Sequence, residues 1–249
     1  MGDLRVERRE HVARVWLDRP PLNIMTAALI AELDGALREL AADAELRLVV
    51  LGGTGRAFSA GVDVHAMRDL TPVSARAFIG ALHDAIAALR ALPVPVLARL
   101  HGHVLGGALE LVAACDLRLA AASCRFGMPE ITVGIPSVIE AALLPGLVGW
   151  GRTAELLLTG ATIDAAEAER WGLVNRAVED AALDGEVDGW VARLLALPPG
   201  ALRRQTALLR TWRRCDLESA MALSVDAFAV SYGTDEPRRA MQAFLDRKR

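Results

Sequence analysis

The thirty residues from His101 to Glu130, HGHVLGGALELVAACDLRLAAASCRFGMPE, constrain the fold more than any other stretch. An apolar run, Pro95–Leu100, precedes them and reads as a strand. The pair Gly106-Gly107 comes next, followed by a helical pattern over Ala108–Cys115. A second strand-like segment, Leu117–Phe126, is broken near Ala121–Ser123 and leads to Pro129-Glu130. Two acidic residues stand out, Glu110 and Glu130. Glu110 falls in the first turn after the glycine pair, between Leu109 and Leu111, which points to burial. A carboxylate buried among apolar groups has a raised pKa and serves as acid or base near neutral pH. Glycines such as Gly106 and Gly107 at a helix start let a ligand approach backbone N–H groups at the positive end of the dipole. The combination suits a reaction in which negative charge builds on an oxygen while a proton moves nearby. A Gly-Gly pair before a helix also serves plain packing or turn chemistry, so the pattern alone leaves both readings open.

Upstream lies a second glycine-rich loop, Gly52-Gly53-Thr54-Gly55-Arg56-Ala57-Phe58-Ser59-Ala60-Gly61-Val62-Asp63, after the buried-strand run Leu48–Leu51. The segments RAFSAGVD, HGHVLGGALEL and FGMPEITVGIP, in that order, resemble the enoyl-CoA hydratase/isomerase (crotonase) superfamily. The resemblance covers nearly the whole chain. It begins at Asp18-Arg19-Pro20-Pro21-Leu22-Asn23 and runs past Leu158-Thr159-Gly160, Ala165–Ala168 and Trp171-Gly172-Leu173-Val174. It implies an α/β crotonase-like spiral of β-β-α turns with a C-terminal α-helical region. The fold does not choose the reaction, because it supports many reactions on acyl thioesters.

By resemblance, the backbone N–H groups of Val62 and Gly107 form an oxyanion hole for the thioester carbonyl as it becomes an enolate. Each such donor contributes about 3 kcal/mol of transition-state stabilisation. The resemblance gives Ala60 a carbonyl contact to the adenine of coenzyme A and places Gly106 and Asp63 beside the substrate, although Asp63 also suits a helix cap. Glu110 and Glu130, twenty positions apart as in hydratase members, are implied to activate water for attack at C3 and to deliver a proton to C2. The sequence departs from the family after the second glutamate. A segment of roughly Pro-Gly-Ala-Gly-Gly is replaced by Pro136-Ser137-Val138-Ile139-Glu140. Glu140 is therefore taken as a third carboxylate near the substrate, acting in specificity or proton transfer, with a helix-start role as the alternative.

Along the rest of the chain, Leu4–Arg8 and Val12–Leu17 alternate around Arg9-Glu10-His11 and predict a hairpin. Thr26 is placed to cap a helix with Leu29, Ile30, Leu33, Leu37 and Leu40 on one stripe. Short and long helices are expected over Val62–Leu70 and Val73–Leu92, the latter carrying Phe78, Leu82, Ile86 and Leu89 inward. From Ala181 the pattern is almost all helix. We place a boundary between residues 190 and 191: 1–190 is the spiral core with the acyl-CoA site, and 191–249 a helical region. In the family the resemblance points to, that region builds a trimer or a dimer of trimers, whereas a helical layer completing a monomer is the plainer alternative.

Several classes are disfavoured. A net charge of −3 with interspersed signs gives no basic stripe for nucleic acid. No apolar run reaches spanning length, since Glu110 and Asp116 interrupt the best candidate. Cys115, Cys124 and Cys215 lack metal-ligand spacing and read as reduced packing residues of a cytoplasmic protein. His101 and His103 do not form a metal site, and no phosphate loop or serine-hydrolase elbow is present. The expectation is an enoyl-CoA hydratase-like lyase that needs no cofactor, coenzyme A being part of the substrate. An isomerase or other enolate-chemistry enzyme on the same fold is the alternative, and a non-catalytic scaffold is a more remote one.

Overall fold

The computed structural model describes residues 2–247. The predicted hairpin is present: β1 (Leu4–Arg9) pairs antiparallel with β2 (Val12–Leu17), with Glu10 at φ +50° in the turn. Thr26 Oγ1 accepts the Leu29 N–H and starts α1 (Ala27–Ala41), and the five stripe residues are all buried. Strand β3 (Leu48–Gly53) leads through the glycine-rich loop to α2 (Val64–Met67). The expected helix over Val62–Leu70 is shortened to that single turn. Asp63 caps it on one side, and Thr71 before Pro72 is extended at ψ 165° on the other, as a residue before proline prefers. Helix α3 (Pro72–Ala91) then runs back to β4 (Val96–Leu100) with Leu82, Ile86 and Leu89 buried and Phe78 partly so.

Next come β5 (His103–Leu105), α4 (Gly107–Ala113), β6 (Leu117–Ala121) and β7 (Arg125–Gly127). Two 3-10 turns, Pro129–Val133 and Ile139–Leu143, precede α5 (Leu144–Val148) and α6 (Trp150–Thr159). Strand β8 (Thr162–Asp164), α7 (Ala165–Trp171) and β9 (Arg176–Val178) complete the mixed region. Helices α8 (Leu183–Leu195), α9 (Pro199–Trp212), α10 (Leu217–Ser231) and α11 (Glu236–Asp246) follow.

The six-stranded sheet has the order β1-β2-β3-β4-β6-β9, parallel except at β1, and a three-stranded sheet has the order β5-β7-β8. The break read within Leu117–Phe126 is where the chain leaves one sheet for the other. The fullest spiral turn is a strand of the large sheet, a short strand of the small one and a helix, β4–β5–α4. Earlier turns repeat the plan with single bridges, Met25 beside Val62 and Ser59 beside Val104. Alternation along β3 shows why its run is uniformly apolar: Val49 and Leu51 join the main core with α1 and α3, while Leu48 and Val50 meet Leu183 and Val187 of α8. The 190/191 position falls inside α8, which packs on the sheet through Trp190 and Leu194 as well. Among the described residues, no helix is long and apolar enough to cross a membrane.

Candidate active site

Asn23 organises the first loop. It is fully buried at φ +49°, a conformation Asn tolerates better than most residues. Its Nδ2 donates to the carbonyls of Thr54 (2.8 Å), Ala57 (2.9 Å) and Phe58 (3.1 Å), and its Oδ1 accepts the Arg19 N–H at 2.8 Å. One amide so satisfies carbonyls that would otherwise lack partners in the interior. Ser59 Oγ donates to the Asn23 carbonyl and accepts from the Gly61 N–H. The Phe58 and Ser59 N–H groups bond the carbonyls of His101 and His103, which lays the loop along β5.

That arrangement carries Val62 to the start of α4. A Cβ built on Gly107 would stand 3.3 Å from Val62 Cγ1, 3.2 Å from Met25 Cε and 2.9 Å from Leu82 Cδ2. As the first residue of α4, Gly107 has an N–H with no acceptor in its own helix. The Val62 side chain and Gly107 are therefore neighbours. Ala60, half-buried in the same loop, donates its N–H to Leu22. Asp63 Oδ1 accepts from the His65 and Ala66 N–H groups, so its side chain is engaged as the cap of α2.

Glu110 is buried in the first turn of α4, as its leucine neighbours foretold, and its Oε1 accepts the Ala141 N–H at 3.2 Å. Burial pushes its pKa up to about 8; the Ala141 N–H opposes the shift, and the carboxylates of Glu130 and Glu140 add to it. Glu130 is half-buried in the first 3-10 turn. Its Oε2 accepts from Ser137 Oγ at 2.9 Å, and its Oε1 lies against Gly106, only 2.6 Å from where a Cβ would be. Glu110, Glu130, Gly106, Gly107 and Val62 are thus brought together at one end of α4.

Glu140 behaves differently from the expectation of a substrate contact. Its side chain is 2% exposed and turns to α3, where Oε1 meets Arg90 Nη1 at 3.2 Å and His83 Nδ1 at 3.0 Å. The second oxygen, Oε2, is 3.2 Å from the same imidazole nitrogen. The reason is topological: the 3-10 turn that begins at Ile139 packs on α3 and α4, which leaves Pro136 and Val138 as the exposed residues of the altered segment. Asn23, Ser137, Arg90 and His83 had no assigned role in the sequence. Ser137 is a hydroxyl seven residues beyond Glu130, and Asn23 ends the Asp18–Asn23 motif. Among the described residues, no group of three or more His, Cys, Asp or Glu side chains is placed to hold a metal ion. His101 Nε2 meets the Gly55 carbonyl, and His103 is exposed.

The sequence profile of the enoyl-CoA hydratase/isomerase family matches residues 7–249. The chain belongs to that family. A crotonyl-CoA hydratase of Syntrophomonas wolfei is 34% identical over 98% of this chain and 95% of its own. A short-chain-enoyl-CoA hydratase of Clostridium acetobutylicum is 31% identical over 100% and 97% of the two chains. An enoyl-CoA hydratase structure from Mycobacterium smegmatis superposes with a TM-score of 0.96 at 33% identity, covering 99% of this chain and 97% of that one. One from Bacillus anthracis superposes at 0.94 with 29% identity, covering 99% and 97%. Membership in the enoyl-CoA hydratase/isomerase family accounts for the crotonase spiral and for the helical C-terminal region.

Proposed function

We propose that the protein is an enoyl-CoA hydratase that adds water across the double bond of a short-chain 2-enoyl-CoA. The observation that carries this reading is the convergence of two carboxyl groups, Glu110 and Glu130, on the glycine pair at the start of α4. Val62 and Gly107 N–H groups hold the thioester oxygen. Water attacks C3, its proton passes to Glu110, and the C2–C3 π electrons move into the thioester as an enolate. Glu130 then protonates C2, and the two carboxyls reset their proton through solvent. A carboxyl that binds its proton near pH 8 is a stronger base, once ionised, than an ordinary glutamate. Ser137, bonded to Glu130, directs its proton toward substrate. No cofactor takes part, since coenzyme A arrives with the acyl group.

The test is a panel of 2-enoyl- and 3-enoyl-CoA thioesters, crotonyl-CoA first, followed for water addition and for double-bond migration. Hydration with kcat/KM rising with pH to a limb near 8 is the expected result. Migration without hydration would overturn the reading, and a limb that falls through pH 8 would exchange the roles of the two glutamates.

The same proposal includes a homo-trimer or hexamer built through residues 191–249, in the cytoplasm. It is supported by apolar side chains that stand exposed in a lone chain: Leu217 (69% exposed), Val225, Phe228 and Val230 on α10, and Tyr232 just past its end. A helix that leaves several large apolar side chains exposed suits an association face. Cys115, Cys124 and Cys215 are free thiols, as suits a reducing compartment. Light scattering at micromolar concentration should give three or six protomers; the 26.6 kDa of one chain would overturn the assembly.

A further inference from the structure

We propose that Glu140 is a positioning residue for Glu110, acting through its ion pair with Arg90 of α3. The inference rests on the reading of Glu110 as the catalytic base. Two consecutive residues carry the link. Glu140 is held by α3, and the next residue, Ala141, shares its N–H between the Val138 carbonyl (2.9 Å) and Glu110 Oε1 (3.2 Å). The residue before them, Ile139, sits at φ +36°. A β-branched side chain is disfavoured in left-handed backbone, and such strain persists where the surroundings over-determine it. Here the surroundings are the Glu140 clamp and the Ala141 bond.

The anchor is itself fixed. Arg210 of α9 donates to the carbonyls of Arg90, Leu92 and Val94 and pairs with Asp116, so the end of α3 that bears Arg90 is tied in place. Charge runs along the same path. The charged groups that face Glu110 are Glu130, from the 129–133 turn, and Glu140, from the 139–143 turn. From α3, Arg90 and His83 lie on Glu140 itself, and from β5, His103 is exposed. Glu140 raises the proton affinity of Glu110, and the Arg90 guanidinium paired with Glu140 carries the opposite charge.

Opposite displacements follow in two variants of the intact protein. Glu140→Gln should move the limb of the kcat/KM profile near pH 8 downward by about one unit, a like charge having been removed. Arg90→Met should move it upward, and the double variant should return it toward the parent. Both single variants should lower kcat at least threefold, whereas Arg90→Lys, which retains the charge, should leave the limb in place. A residue that served stability alone would lower Tm and leave the limb where it is. Unmoved limbs in both Glu140→Gln and Arg90→Met therefore overturn the inference, and if Glu140→Gln does not fold, the Met-against-Lys comparison at Arg90 decides it. The control is Glu110→Gln: a limb that survives there means that the base is misassigned, a failure distinct from this one.

Discussion

Glutamine at position 110 removes turnover and stabilises the fold in the same step. The catalytic loss should be on the order of 10²–10⁴ in kcat, the usual contribution of a positioned acid or base. Acyl-CoA binding should persist, since the Val62 and Gly107 N–H groups are untouched. The stabilisation has a definite sign. In the folded protein Glu110 holds its proton up to about pH 8, against 4.5 for the free side chain. Between those values the folded state binds more protons than the unfolded one, so stability is lost as pH rises from 4.5 through 8. At pH 7 the term is on the order of 3 kcal/mol. Glutamine keeps an oxygen for the Ala141 N–H but carries no charge to desolvate or to repel Glu130 and Glu140. Thermal unfolding at pH 8 should therefore show the variant roughly 5–10 °C above the parent. The gap should close as pH falls toward 4.5. A pH-independent gap would mean that Glu110 is not buried as described, and near-native kcat would remove it from the chemistry.

The helices and strands of the core were legible because their signals are local. Thr26 and the leucine stripe behind it sit within one helix, and the run of β3 needs both faces buried whatever lies on them. The burial of Glu110 was legible for the same reason, since Leu109 and Leu111 flank it. What escaped depends on partners far away in the chain. Asn23 acts on carbonyls more than thirty positions later, and Glu140 is matched to Arg90 fifty positions earlier. No periodicity encodes such pairs, so a glutamate amid Val138, Ile139 and Ala141 reads equally as a ligand contact or an ion-pair partner. The apolar positions of α10 posed the opposite difficulty. Their pattern was visible, yet Phe228 and Val225 remain exposed in a single chain, so an apolar position in the sequence did not mean a buried one.

Alanine at Gly106 should cost at least 10² in kcat/KM while leaving the rest of the core unchanged. Two independent constraints meet at this residue. Its backbone lies at φ +57°, ψ −130°, where a side chain is strained by roughly 1–3 kcal/mol. A Cβ there would also lie 2.6 Å from Glu130 Oε1, closer than real contacts come. The carboxylate end of Glu130 is the part able to shift, and its shift is what disturbs the site. Glu130 is tethered through its other oxygen to Ser137 and sits in the Pro129–Val133 turn. Gly106 donates its N–H to the Gly127 carbonyl at 2.9 Å, and its own carbonyl accepts from Leu109 and Glu110, so rotating it would disturb the start of α4. Either the carboxylate moves away from the proposed C2 position or the Gly107 N–H and Glu110 turn together. A displacement of about 1 Å in a reacting group is enough for a loss of that size. Gly80→Ala in α3 supplies the contrast. Its Cβ meets nothing within 4 Å and its φ is not positive, so the change should stabilise by about 0.5–1 kcal/mol and leave kinetics alone. Kinetics and melting curves on both variants check the pair. If Gly106→Ala stays within threefold of the parent, Glu130 does not work from above the glycine pair, and its assignment to C2 protonation goes with it.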